Sequence, residues 1–258
     1  TKVLLRLIPS PQTTKTLLVF FPDMVSAGKA VAGIIAGKII PCALEFLDNV
    51  TVNCVEDYSK IGLPRDVGAL LLIQTDGHPA QVEEEAKKIE AICRENQATQ
   101  VQIAQTQEEA DTLAEARRVA FAALARRKPT TILEDATVPR SKVPEMLAFI
   151  DEMRDEYQLE IGVFGHAGDG NLHPTCLTDE RDQDEMKRVE QAFDEIFRKA
   201  ISLGGTITGE HGVGCTKSKY LSLLVGEAGI KVMKRIKQAF DPDGVMNPGK
   251  IFIDDAGK

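Results

Sequence analysis

The sequence predicts an α+β fold built on an antiparallel sheet covered by helices. Three observations carry that expectation. Short apolar runs alternate with amphipathic helical stretches. Their order, β-α-β-β-α-β, is that of a ferredoxin-like unit. The same order then returns after a connecting helix, at a spacing of roughly 110 residues, as an internal duplication would have it. With 258 residues, 43% hydrophobic and 27% charged, the chain is long enough to bury a large core.

In the first half, Thr16–Phe21 is an apolar run of strand length. A helix follows from about Asp23, a natural N-cap, to Gly37, and Pro41 introduces a strand at Ala43–Leu47. Gly68–Thr75 is a strongly apolar strand stopped by Asp76-Gly77. Gln81–Asn96 reads as a charged amphipathic helix and Thr99–Ala104 as a half-buried strand. His78, between Asp76-Gly77 and Pro79, reads as a turn residue. A helix over Glu108–Arg127 connects the halves. The second half predicts strand Thr131–Val138, helix Ser141–Tyr157, strands Glu160–Phe164 and Leu172–Leu177, helix Asp182–Leu203 and strand Thr206–Thr208. A helix near Ile230–Phe240 forms a tail. The expected layout is thus a repeat over 16–105, a connecting helix over 106–128, a second repeat over 129–209 and a helical tail over 210–258.

A net charge of −8 argues against a nucleic-acid surface, which needs clustered Lys and Arg to replace counterions. The longest apolar stretch, Val31–Ile40, is interrupted by Gly33, Gly37 and Lys38, well short of the ~20 residues of a membrane span. Five cysteines without a C-x-x-C pair argue against a disulfide framework and for a reducing compartment, hence a cytoplasmic protein.

Chemistry concentrates in the second half, where three of the four histidines fall in two glycine-rich segments. The first is Gly165-His166-Ala167-Gly168-Asp169-Gly170-Asn171-Leu172-His173-Pro174. Asp-Gly is a strong two-residue hairpin signal, and a turn at Asp169-Gly170 would set His166 directly opposite His173 on one face. Their Cβ atoms would then lie about 4.5–5.5 Å apart, within reach of a shared ion. A catalytic zinc usually takes a third protein ligand. The second segment, Gly204 to Gly214, supplies a candidate in Glu210, beside His211. Neighbours leaving a strand point to opposite sides, so Glu210 is expected to join the metal and His211 to act as base. Asn171 either orients a ligand or caps the hairpin. Cys176 and Cys215 are expected to be structural. Neither glycine-rich segment is a phosphate loop: Cys215 stands where a P-loop needs Lys, and Gly168-x-Gly170 lacks a third glycine and sits at a hairpin.

These segments resemble the C-terminal domain of the FAD-linked oxidases of the vanillyl-alcohol oxidase superfamily. The similarity is greatest to the branch that contains glycolate oxidase, D-lactate dehydrogenase and D-2-hydroxyglutarate dehydrogenase. It extends to Leu44-Glu45-Phe46-Leu47-Asp48, Leu71–Gly77, Arg117-Arg118, Asp135-Ala136-Thr137-Val138-Pro139 and Asp241–Lys250. The resemblance implies a divalent metal, commonly zinc, on His166, His173 and Glu210, with His211 as catalytic base. It implies Arg117 as the clamp on a 2-hydroxy-acid carboxylate and Asn247 and Lys250 near the flavin; Asn171 is expected as a further substrate contact. FAD itself would be bound by an upstream domain, with residues 1–15 as its tail or a linker, so these residues alone would not catalyse the redox reaction. Electron-transfer subunits, through which the enzyme could lie peripheral to the inner membrane, and a homodimer are compatible partners. Ala114 stands where the family often has Trp, and Leu133 where 2-hydroxyglutarate dehydrogenases present Lys, which favours a shorter monocarboxylate. From another class, a stand-alone metal- or small-molecule-binding module or a metal hydrolase would use the same layout.

Overall fold

In a computed structural model that describes residues 2–252, all strands join one antiparallel sheet. The first half contributes β1 (Thr13–Phe21), β2 (Ala43–Asp48), β3 (Ala69–Gly77) and β4 (Gln100–Ile103). The second contributes β5 (Thr130–Leu133), β6 (Ala136–Thr137), β7 (Glu160–His166) and β8 (Asn171–Thr178). Their order across the sheet is β4-β1-β3-β2-β7-β8-β5, with β6 also on β8. The two half-sheets meet along a short seam in which Phe46 faces Gly165 and Leu47 faces Phe164. Seven α-helices are found among the described residues: α1 (Met24–Ala36), α2 (Asn49–Ser59), α3 (Pro79–Glu95), α4 (Gln107–Leu124), α5 (Val143–Glu156), α6 (Gln183–Ser202) and α7 (Leu221–Phe240).

The apolar runs of β1 and β3 do not alternate with polar residues because both of their faces are covered. Leu71 and Ile73 enter the layer formed with α1, α3, α5 and α6. Leu70 and Leu72 enter the opposite layer with α2 and α4. Each such side chain contributes about 1.5–3 kcal/mol of burial. On the second layer's face, β7 and β8 carry Phe164 and Leu177; towards the connection between β7 and β8 that face turns polar, at His173, His166 and Asn171.

Several expectations are corrected. Helix α2 stands where the local pattern suggests only a connection. Its sequence is rich in β-branched residues, yet Asp48 caps it by accepting from the Thr51 N–H at 2.9 Å, and Val52 and Val55 pack against α4. Tertiary burial outweighs local propensity. The strand expected over Thr131–Val138 breaks into β5 and β6 because Asp135 turns inward, fully buried. Strand Thr206–Thr208 reduces to one bridge, Thr137 with Thr206. Helix α7 starts well before Ile230 and bends at Gly226, whose φ is 67°. His78 is the N-cap of α3, its Nδ1 accepting from the Ala80 N–H at 3.3 Å.

The hairpin register also differs. His166 pairs with Asn171, and His173 with Phe164. The connection is four residues, Ala167–Gly170, because neighbours hold it: the Gly168 N–H donates to Leu44 O and the Val138 N–H to Gly170 O, both at 2.9 Å. Gly170 has φ 77°, and a Cβ there would stand 2.1 Å from Val138 O. These anchors override the local preference for a two-residue turn. His166 and His173 remain two steps apart on one face, as diagonal neighbours.

Candidate active site

The polar end of β7 and β8 opens into a cleft of about 580 Å³. Arg117 of α4, His166, His173, Glu210, His211 and Lys217 form its polar side. Phe121, Leu133, Phe164 and Val213 form its apolar wall. The His166 and His173 rings are 5.5 Å apart between centroids, and those of His173 and His211 are 5.2 Å apart. Nε2 of His166 and Nε2 of His173 each lie 3.4 Å from Oε1 of Glu210.

That donor set fits a small divalent ion. Two imidazole nitrogens and a carboxylate oxygen, held tetrahedrally at about 2.0–2.1 Å from zinc, stand about 3.3–3.4 Å apart, which matches both separations. A second cluster, Asp135, His173 and His211, also gathers three donors, but fits a cation less well. Lys217 Nζ is 3.4 Å from Asp135 Oδ2, so an ion there would meet an ammonium group.

Two acids hold the site's side chains. Glu45 of β2 accepts from Arg117 Nε at 2.6 Å and stands 2.9 Å from His166 Nδ1. Arg117 Nη2 reaches His166 Nε2 at 3.2 Å, so its guanidinium and a bound cation would compete for that lone pair. The same guanidinium lies 5.0 Å over the Phe164 ring, a favourable cation–π placement. Asp135 Oδ1 lies 3.1 Å from His173 Nδ1 and 2.9 Å from His211 Nδ1. Burial pushes the Asp135 carboxyl up, but the His173 hydrogen bond and the charges of Lys217 and His211 outweigh it and hold the group well below the usual carboxylate range. Sequence reasoning assigns no role to Glu45 or Asp135. The available signal is an acid inside an apolar strand: Glu45 interrupts Leu44 and Phe46, and Asp135 falls inside the run expected as strand Thr131–Val138.

Asn171 is buried and does not line the cleft. It accepts from Thr137 Oγ1 at 2.7 Å and donates to Glu210 Oε1 at 3.3 Å. Gly209 leaves room for it, since a Cβ there would stand 2.4 Å from the Asn171 amide. Asn247 and Lys250 lie in the turn after α7, outside the cleft lining. Lys250 Nζ donates to Cys215 Sγ at 3.2 Å, and the Ile251 N–H donates to Gly214 O at 2.7 Å, which ties this turn to the segment bordering the cleft. Burial pushes the Cys176 thiol up to about 12, in keeping with a packing role.

Fold and cleft together define an α+β domain that gathers acid, histidine and guanidinium groups at one end of an antiparallel sheet. Residues 10–251 match the family of FAD linked oxidases, C-terminal domain, and the chain belongs to that family. It is 57% identical to the glycolate oxidase subunit GlcD of Bacillus subtilis over 100% of this chain and 55% of that protein. It is 32% identical to a probable mitochondrial D-lactate dehydrogenase of Danio rerio over 98% of this chain and 51% of that protein. The chain thus spans about half the length of the curated relatives it matches. The fold is also that of 4-ethylphenol oxidase from Gulosibacter chungangensis, with a TM-score of 0.67, 18% identity, and coverage of 95% of this chain and 55% of that one. Among the described residues no helix is long and apolar enough to cross a membrane.

Proposed function

We propose that this chain is the substrate- and metal-handling part of a flavin-dependent 2-hydroxy-acid oxidoreductase of the glycolate or D-lactate type. One observation carries the reading: two imidazole nitrogens and a carboxylate converge at 3.4 Å in a cleft that also holds Arg117 and His211. Family membership and the names of the relatives support the reaction class.

In this reading Arg117 binds the substrate carboxylate through its planar fork and fixes which C–H bond is presented. His211 takes the hydroxyl proton, a task suited to an imidazole at neutral pH. Zinc on His166, His173 and Glu210 would supply Lewis-acid polarisation, as it does for water, whose pKa it takes from 15.7 to about 7. FAD, held by a segment outside these residues, would supply the two-electron acceptor, with Asn247 and Lys250 at its border. Asn171 acts on the substrate through Glu210. The wall of Phe121, Leu133 and Val213 offers no partner for a second carboxylate, which favours a short monocarboxylate. These residues alone would hold metal without turning over substrate, and electron-transfer subunits would take the electrons onward from the flavin.

The two half-sheets also support descent from one repeated βαββαβ unit. Orders β2-β3-β1-β4 and β7-β8-β5 run outward from a common seam, the second lacking its last strand.

The test is metal analysis of this chain together with a 2-hydroxy-acid panel on the whole protein. Stoichiometric zinc here, with flavin and glycolate or D-lactate oxidation in the whole protein, is the expected result. A whole protein that binds metal but no flavin overturns the oxidoreductase reading in favour of a stand-alone metal-binding module.

A further inference from the structure

We propose that Glu45 and Asp135 are positioning residues that lock His166, His173 and His211 with hydrogen on Nδ1, leaving Nε2 of each unprotonated. The geometry around His166 makes the case from both ring nitrogens. Arg117 Nη2, 3.2 Å from Nε2, belongs to a guanidinium, which has donors and no acceptor. Nε2 therefore accepts from Arg117, with Glu210 Oε1 further off at 3.4 Å. The other nitrogen, Nδ1, stands 2.9 Å from Glu45 Oε1 and must donate. Two contacts on opposite sides of the ring require the same tautomer.

For His173 and His211 the requirement comes from a shared oxygen. Asp135 Oδ1 stands 3.1 Å from one Nδ1 and 2.9 Å from the other. Its second oxygen, Oδ2, faces further donors: the backbone N–H groups of Gly209 and His211 at 3.3 Å, Thr208 Oγ1 at 3.3 Å and Lys217 Nζ at 3.4 Å. Every group around Asp135 that can give a hydrogen points at it, so both imidazoles present their Nδ1–H to it. Tying the second ring nitrogen to a carboxylate is how a ligating imidazole is oriented and made more basic. The ligand role of Nε2 rests on the function proposed above; the tautomers do not.

An amide in place of either acid cannot satisfy these donors. In Glu45→Gln, turning the amide NH2 towards His166 forces that ring to accept at Nδ1 and carry its hydrogen on Nε2, facing the donor Arg117. Turning it the other way sets NH2 against the guanidinium. Asp135→Asn meets the same conflict at whichever oxygen becomes nitrogen.

With only four histidines in the sequence, long-range 15N NMR above the ordinary imidazole range resolves every ring in this chain. His166, His173 and His211 are expected as Nδ1–H. His78 is expected as the opposite tautomer, because its Nδ1 accepts from Ala80 N, and it serves as an internal control. Glu45→Gln should change His166 alone, whereas Asp135→Asn should change His173 and His211 and spare His166. Should Asp135→Asn fail to fold, Glu45→Gln, on a strand surface facing the cleft, decides the matter. An Nε2–H His166, His173 or His211 in the native chain overturns the proposal. In a parallel titration with Co2+, the visible absorption bands should form with affinity lowered about 10–100-fold in Glu45→Gln. A native chain that takes up no Co2+ removes the metal reading, while the tautomer spectrum still tests the positioning role.

Discussion

The two ends of the sheet use the same kind of strand in opposite ways. At β1 and β3, helices cover both faces and the central residues are apolar on each side. At β7 and β8, α5 and α6 cover one face, over Ile161, Val163, Leu172 and Cys176. The other face is covered only part of the way, by α2 and the last turn of α4, where Leu124 closes over Gly162. Beyond that point the strands present His166 and His173 to the cleft, with Asn171 buried behind Glu210. A sheet face becomes chemically useful where its second covering layer stops, because buried polar groups are tolerated only where each finds a partner.

The largest expected effect lies at the open end. His173→Ala should lower metal affinity at least about 100-fold, beyond the loss typical of a residue that only orients a ligand, as measured by competition with a chromophoric chelator. An unchanged affinity would break the contrast between the two ends. At the covered end, Leu71→Ala should cost about 2–5 kcal/mol in urea unfolding and leave metal affinity as it was. Leu133→Lys, in the cleft wall, should barely alter stability. In the whole protein it should raise the preference for a 2-hydroxy dicarboxylate over a monocarboxylate about tenfold, or ~1.4 kcal/mol, read from the ratio of kcat/KM values. The smallest effect is the most diagnostic in sign: Arg117→Ala should tighten metal binding about threefold by removing a positive charge beside His166, while raising KM for the substrate.

Much of this is legible in the sequence where one physical rule acts alone. The apolar runs of β1 and β3, the amphipathic α3 and α6, and the capped start of α1 at Asp23 follow from local pattern. The misreadings occur where a distant partner decides. Helix α2 is held by its packing on α4. The hairpin register is set by Leu44 and Val138, which lie far from Asp169-Gly170 in the chain. The break between β5 and β6 exists because Asp135 serves His173 and His211. Composition and spacing draw attention to the histidines and Glu210, and the family resemblance to Arg117. Glu45 and Asp135 escape because their importance lies in what they face, and a single sequence does not show that.

The seam between β2 and β7 involves only two facing residue pairs, yet the site is assembled across it. Glu45 comes from one side, His166 and His173 from the other, and Arg117 from the helix that links them. A chimera that exchanged either half for a foreign relative would inherit a folded sheet and an incomplete constellation. The cleft therefore belongs to the join, and the two halves are bound to change together.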